Sequence, residues 1–347
     1  MAGSRLEQEI REQPEALQRL LQEGREAVEG VAQALRRRAS RLLVIVARGS
    51  SDNAARYGQY LFGGLNRLPV ALATPSLVTL YESPPRLDEA AVLAISQSGQ
   101  SPDIVAFAEE GRRQGALTVA LTNDPSSPLA GVCHHTLCLY AGEERSVAAT
   151  KTYTNSLLAL AMLSVAMDGD EDRWEILRRL PAWLSQTLEL APEVARAAER
   201  YRYAEACVVV SRGYNYGTAF EIALKLKELA YLVAEPYSSA DFRHGPVALV
   251  ERGFPVILIV PEGRVTAELV DLARQLKARE AELVLISPVE EALGLAQTSF
   301  ALPTGVPEWV SPVITVVPGQ LLALGLAQAK GLDPDRPRGL QKVTRTR

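Results

Sequence analysis

Apolar residues along this chain fall into two recurring patterns, short unbroken runs and longer stretches with helical spacing. The runs are LLVIV at 42–46, AVLAI at 91–95, ACVVVS at 206–211 and VILIV at 256–260. They are strand-sized and lack period-two alternation, as expected of strands buried on both faces of a parallel sheet. Stretches rich in helix formers lie between them, and strands that alternate with helices imply βαβ units.

The pattern also repeats. RLLVIVARGSSDNAARYGQYL from Arg41 answers to ACVVVSRGYNYGTAFEIALKL from Ala206, with Arg48-Gly49 opposite Arg212-Gly213. AAVLAISQSGQSPDIVAFAEEGRRQGALTVALTND likewise answers to FPVILIVPEGRVTAELVDLARQLKAREAELVLISP. Several landmarks in one order mark a duplicated unit. The reading is therefore an α/β chain of two tandem three-layer αβα domains, each on a central parallel sheet. Ligands of such sheets bind beyond the carboxyl ends of the strands.

The segments expected are an N-terminal helical part at 1–38, a first α/β domain at 39–168 and a helical linker at 169–198. A second domain at 199–330 and a tail at 331–347 follow. Residues 6–38 read as one or two helices. Pro181 and Pro192 punctuate the helices that join the halves. The longest apolar helix candidate, Leu157 to Met167, falls short of the about 20 residues that cross a bilayer.

Composition removes some classes of function. The 347 residues carry a net charge of −4 and 47% hydrophobic residues, so neither nucleic acid nor an anionic membrane is an expected partner. MAGSRLEQEIREQP has too many charges for a signal peptide, which makes the cytoplasm the expected compartment. Three cysteines without CxxC spacing suggest reduced thiols. Cys133, His134, His135 and Cys138 lie in a strand-like stretch that would point their side chains to different faces, so no metal is expected. No GxGxxG or Walker pattern follows a strand, and no cofactor is expected.

Candidate chemistry sits in five places. Ser96-Gln97-Ser98-Gly99-Gln100-Ser101 joins a buried strand to a helix that opens with Pro102 and Asp103. Free N–H groups, the helix dipole and three hydroxyls would cradle a phosphate there. A serine-rich turn with an ordinary helix cap fits the same residues. Ser50 and Ser51, in the matching loop of the first strand, favour the cradle. Glu221, Lys225 and Glu228 form one stripe of an otherwise apolar helix, which implies either surface ion pairs or a wet cavity with a tuned carboxylate. His244, in Arg243-His244-Gly245-Pro246, is either a proton shuttle or a structural loop residue. Val147-Ala148-Ala149-Thr150-Lys151-Thr152 would let a ligand approach the backbone. Lys342 would bring an ammonium to a site if the tail folds back.

ISQSG, VAATKTY, EIALKLKELAY, the HGP loop and the terminal GLQKVT together resemble the sugar isomerase (SIS) domain family, over nearly the whole chain. The likeness is to the isomerase half of glucosamine-6-phosphate synthase. It implies two tandem SIS domains. Ser51, Ser96, Gln97, Ser98 and Ser101 would bind the sugar phosphate, with Ser50 close by and Val147 against the sugar. Glu228 would move a proton between C1 and C2, supported by Lys225 and Glu221. His244 would open the ring from the partner subunit of a homodimer, and Lys342 would contact the open-chain sugar near C2. RGSSDNA, SQSGQSPD, AGEERSVAATKTY and SSADFRHGPVALVE are similar to the stand-alone SIS-type glucosamine-6-phosphate deaminases. With no glutaminase segment in this sequence, deamination to fructose 6-phosphate is the expected direction. A deaminase or deglycase for galactosamine 6-phosphate or fructosamine 6-phosphate, an ammonia-using synthase, and a sugar-phosphate sensor are the alternatives.

Overall fold

The computed structural model describes residues 3–342. Ten strands form two five-stranded sheets. The first contains β1 (Leu42–Val46), β2 (Val70–Leu72), β3 (Ala90–Ile95), β4 (Leu117–Thr122) and β5 (His135–Cys138). The second contains β6 (Ala206–Ser211), β7 (Val233–Ser238), β8 (Pro255–Ile259), β9 (Glu282–Ser287) and β10 (Thr298–Ala301). Spatial order is β2-β1-β3-β4-β5 in one and β7-β6-β8-β9-β10 in the other, so the two sheets share one topology. Every strand pair is parallel, with Val44 opposite Val92 and Val208 opposite Val256. The duplication read from the sequence is thus a duplication of fold.

The apolar runs are buried because each sheet is covered on both faces. All six residues of β3 are buried, and so are the last four of β1, β8 and the last five of β6. Each repeat also has one long helix sunk in its interior. In the first it is Lys151–Asp168, whose residues 151–166 are all buried and which packs against helices Gln13–Glu23, Arg25–Arg38 and Ser50–Leu65. In the second it is Pro312–Ala329, buried from 312 to 327, packed on Ala191–Tyr201 and Tyr216–Ala230. A helix apolar on every side belongs in a core.

Two sequence expectations change here. Pro312–Ala329 is a second apolar helix of 18 residues, as long as the one containing Leu157–Met167, which runs from Lys151 to Asp168. Pro312–Ala329 is long and apolar enough to cross a membrane, but 89% of it is buried inside the protein. Pro318 within it hides the helical pattern from a sequence reading. The N-terminal part forms three helices rather than one or two, Arg5–Arg11, Gln13–Glu23 and Arg25–Arg38, broken before Pro14 and at Gly24.

The chain forms two compact units, and both are discontinuous in sequence. One holds Gln13–Arg145, Lys151–Pro181 and, of the tail, Gln341 and Lys342. The other holds Ala182–Leu340, the loop Ser146–Thr150 and the N-terminal residues through Glu12. In that second unit the helix Arg5–Arg11 packs on Pro312–Ala329, and the Arg5 and Leu6 N–H groups donate to Asp335 at 3.0 and 2.9 Å. Glu9, also buried there, accepts both its hydrogen bonds to Ser146 from the backbone N–H, at 3.2 Å.

Candidate functional site

In the first unit, chain order puts the loops after β1 and β3 side by side. β2 lies on one flank of β1 and β3 on the other, so the connections diverge and leave a crevice at the strand ends. Ser50 and Ser51 open the helix Ser50–Leu65 on one side of it, and Ser96–Ser101 forms the other side. Ser96 is buried, while Ser50, Ser51, Gln97, Ser98 and Ser101 are half-buried.

The β3 loop is held from below. The Ser96 N–H donates to Leu121 O at 3.1 Å, and Gln97 O accepts from the Asn123 N–H at 3.0 Å. Gly99 has φ 61, and a Cβ there would overlap the Ser127 hydroxyl, so only glycine fits this turn. Ser101 is the N-cap of helix Pro102–Arg113 but makes no capping bond with its side chain, so its hydroxyl is not committed to its own helix. Arg48 Nε donates to the fully buried Asp103 carboxylate at 2.8 Å, tying the β1 loop to the helix that follows the β3 loop. Donors and a helix N-terminus facing one crevice make an anion cradle.

Lys342 lies in the same unit. Its Nζ donates to Glu144 Oε2 at 2.8 Å, and the Glu144 side chain is fully buried. Glu144 also accepts from the Thr152 N–H at 3.1 Å and hydroxyl at 2.7 Å. Lys342 is the last described residue, and Val343 and Thr344 of the GLQKVT run lie outside the described residues. Sequence reasoning missed Glu144, one of two adjacent glutamates in GEER with nothing local to single it out.

The second unit carries the acid–base stripe. Glu221, Lys225 and Glu228 lie on one face of helix Tyr216–Ala230, and Ile222, Ala223, Leu226 and Leu229 around them are buried. Lys225 Nζ is 3.4 Å from Glu221 Oε1 and 2.6 Å from Glu228 Oε2. Burial alone would pull the Lys225 pKa down, but the two carboxylates outweigh it and hold the ammonium above its ordinary value. Lys225 and Glu221 are shut off from solvent, whereas Glu228 keeps 21% of its side chain exposed. Of the three, then, only Glu228 can meet a ligand. Val147 is half-buried in this unit, between the buried Ser146 and Ala148.

His244 caps the short helix Ser239–Arg243, its N–H donating to Asp241 O at 3.0 Å. Its ring is exposed and has no partner among the described residues. The other histidine candidates sit in a strand edge, as the spacing suggested. His134 Nδ1 accepts from the Thr118 N–H at 3.2 Å, and His135 to Cys138 form β5.

Both repeats match the model of the SIS domain, over residues 37–166 and 201–327. The chain belongs to the SIS domain family. It is 35% identical over 344 residues to a glutamine–fructose-6-phosphate aminotransferase (isomerizing) of Thermococcus kodakarensis, covering 96% of this chain and 56% of that one. A Thermus thermophilus protein of the same name is 34% identical over 309 residues, 86% of this chain and 51% of that one. The chain thus spans about half the length of the curated relatives it matches. Among solved structures, a putative phosphosugar isomerase from Silicibacter pomeroyi is 39% identical with TM-score 0.87, over 96% of this chain and all of that one. The C-terminal domain of glucosamine-fructose-6-phosphate aminotransferase from Francisella tularensis is 28% identical with TM-score 0.89, over 96% and 98%. A glucosamine-6-phosphate deaminase from Thermotoga maritima, 21% identical with TM-score 0.80, shares the SIS fold over 99% and 100%.

Proposed function

We propose that this SIS protein is an isomerising glucosamine-6-phosphate deaminase, converting glucosamine 6-phosphate and water to fructose 6-phosphate and ammonia. The observation that carries the acid–base part is Glu228, a solvent-open carboxylate held against a buried ammonium. Phosphosugar isomerase relatives support the substrate class. The motif wording RGSSDNA, SQSGQSPD and SSADFRHGPVALVE supports the choice of deaminase.

In this reading Ser51, Ser96, Gln97, Ser98 and Ser101 hold the phosphate, with Ser50 beside them, and the backbone of Val147 lines the sugar. His244, supplied by the partner subunit of a homodimer, protonates the ring oxygen as the pyranose opens. Glu228 then takes the proton from C2 of the open-chain aldehyde and returns it at C1. The electron pair moves through the enolamine while O1 gains a proton and the C2 amine gives one up, so C1 is reduced to an alcohol as C2 is oxidised to an imine. Water adds to the C2 imine and ammonia leaves, giving the ketone. A single carboxylate within hydrogen-bond reach of both carbons suffices for the 1,2-shift. Lys225, held by Glu221 behind it, fixes the Glu228 carboxylate by a hydrogen bond, and Lys342 stabilises the charge that develops near C2.

The same proton shift run backwards would make the amino sugar from fructose 6-phosphate and ammonia. The names of the 35% identical relatives favour that second reading. One assay separates them from each other and from neighbouring substrates. The purified protein is given glucosamine 6-phosphate, galactosamine 6-phosphate, fructosamine 6-phosphate and N-acetylglucosamine 6-phosphate, and ammonia and ketose are measured. Parallel reactions start from fructose 6-phosphate with ammonium chloride. Ammonia released fastest from glucosamine 6-phosphate is the expected result; no ammonia from any amino sugar phosphate removes the deaminase reading.

A further inference from the structure

The second repeat keeps the frame of the phosphate cradle but fills it from within. The loop after β8 aligns with the loop after β3, so Ser96, Ser98 and Ser101 are answered by Val260, Glu262 and Val265. Gly99 is answered by Gly263, again at positive φ, here 156. Arg48, which pairs with Asp103, is answered by Arg212, 3.6 Å from Glu268. What differs is the space in front of the loop. Glu308 reaches across it, and its Oε2 accepts from the Arg264 N–H at 2.6 Å. A Cβ on Gly263 would overlap that carboxylate, so the glycine is needed to admit it. The other carboxylate oxygen lies 3.6 Å from where a Cβ on Gly213, in the loop after β6, would stand. Glu308 therefore bridges the two loops of the β6/β8 crevice, the place where an open parallel sheet binds its ligand.

Position in the repeat agrees. Val147 and Glu308 each stand four residues ahead of the long buried helix of their repeat, Lys151–Asp168 and Pro312–Ala329. The shape of the loop is fixed locally. The Thr266 hydroxyl donates to Pro261 O at 2.8 Å and accepts from the Gly263 N–H at 2.8 Å, fixing the loop in its anion-ready shape. Beneath it, Pro261, Ser311 and Thr315 help line a cavity of only about 10 Å³, so the loop has little room to collapse if the carboxylate leaves.

We propose that the second repeat holds a self-occupied anion site, in which the Glu308 carboxylate takes the place of a phosphate, and that removing this carboxylate opens the site to phosphate. A tethered carboxylate competes with free ligand at an effective concentration of millimolar or more. The unaltered chain therefore takes phosphate only at the first cradle. The inference uses the first cradle as its template and so rests on the proposed function, but the test reads the second loop separately.

The test compares the unaltered chain with Glu308→Ala and Glu308→Ser, each also combined with Ser98→Ala and Ser101→Ala. Inorganic phosphate is the probe, followed by calorimetric stoichiometry and by melting temperature. Glu308→Ala should bind one phosphate more than the unaltered chain, and should keep that phosphate when the first-cradle serines are gone. Phosphate at about tenfold its Kd should raise its Tm by roughly 2 °C, with no such rise in the serine variant that keeps Glu308. An unchanged stoichiometry in both Glu308 variants would make the carboxylate a brace and overturn the proposal. So would a failure of both to fold even with phosphate present, because phosphate would then be unable to replace it. If the unaltered chain binds no phosphate but Glu308→Ala does, the first-cradle assignment fails and this one stands.

Discussion

Lys225 and Glu228 are 2.6 Å apart, yet one is sealed in the protein and the other opens to solvent. A buried ammonium between two carboxylates keeps its charge, and Glu228 in turn has a fixed positive group on one side and solvent on the other. Glu228→Gln keeps the shape and the hydrogen bond but loses the base. Turnover should fall by at least about a hundredfold, as for loss of a general base. Binding of phosphate monoesters, measured by calorimetry, should change less than about twofold, since phosphate contacts lie on other residues. Lys225→Met is different, because it leaves the sealed Glu221 carboxylate without its counter-ion. Breaking such a pair costs about 3–5 kcal/mol, and thermal melting should show it. His244 has an exposed ring with no partner among the described residues, so His244→Ala should leave Tm within about 1 °C. The same change should slow cyclic substrate more than an open-chain analogue; equal slowing of both would remove the ring-opening role.

Elements decide how the loops are set. The β1 and β3 loops are joined through Arg48 and Asp103, an ion pair with a fully buried carboxylate and a half-exposed guanidinium. Arg48→Ala strands Asp103. The expected loss is about 1–3 kcal/mol, limited by the solvent that reaches Arg48. Looser loops should also raise KM for the phosphate ester several-fold with a smaller change in kcat. The tail has its own anchor in Glu144, which holds Lys342. Glu144→Gln should weaken the hold on the ammonium, and limited trypsin digestion should then cut after Lys342 faster than in the unaltered chain. Unchanged cutting would show that Glu144 does not hold the tail. Strands, the cradle and the stripe were legible because each rests on local pattern: unbroken apolar runs, a serine-glycine turn before Pro102, and a charged row on an apolar helix. Glu144 and Glu308 were not, since nothing local marks a surface-like glutamate whose partner lies far along the chain. The buried helix Pro312–Ala329 was hidden for another reason, its interior proline.

At the scale of the molecule, several acidic protons are trapped by burial. Burial pushes the Cys133 thiol up to about 11, the Cys207 thiol to about 12 and the Tyr201 phenol to about 12. All three are neutral in the fold at pH 8, while the unfolded chain ionises its thiols near 9.0 and tyrosine near 10.0. Because the folded values are raised, the stability tied to them is complete below pH 9 and drains as pH climbs toward 12. Tm measured from pH 8 to 11 should fall steadily, and Cys207→Ala should flatten the slope after its own constant loss is subtracted. A slope that does not respond would mean that other groups govern alkaline unfolding. The duplicated sheet order was legible at this scale too, because both halves repeat the same landmarks. The path of the chain between units was not, since which helix the first twelve residues join depends on partners more than 300 residues away.

That path has a consequence during synthesis. Leu6 and Ile10 are fully buried in the finished protein, and the helix that carries them packs on Pro312–Ala329 and is capped by Asp335. A ribosome makes about 5–20 residues per second, so those first side chains wait roughly 15–60 s for the surface that will cover them. For that time these two apolar side chains lack the surface that covers them in the finished fold, and a chaperone that binds short apolar motifs can hold them. The Arg5–Arg11 helix can dock only after Pro312–Ala329 and Asp335 have been made, so this unit closes late, by a contact that spans 330 residues of sequence.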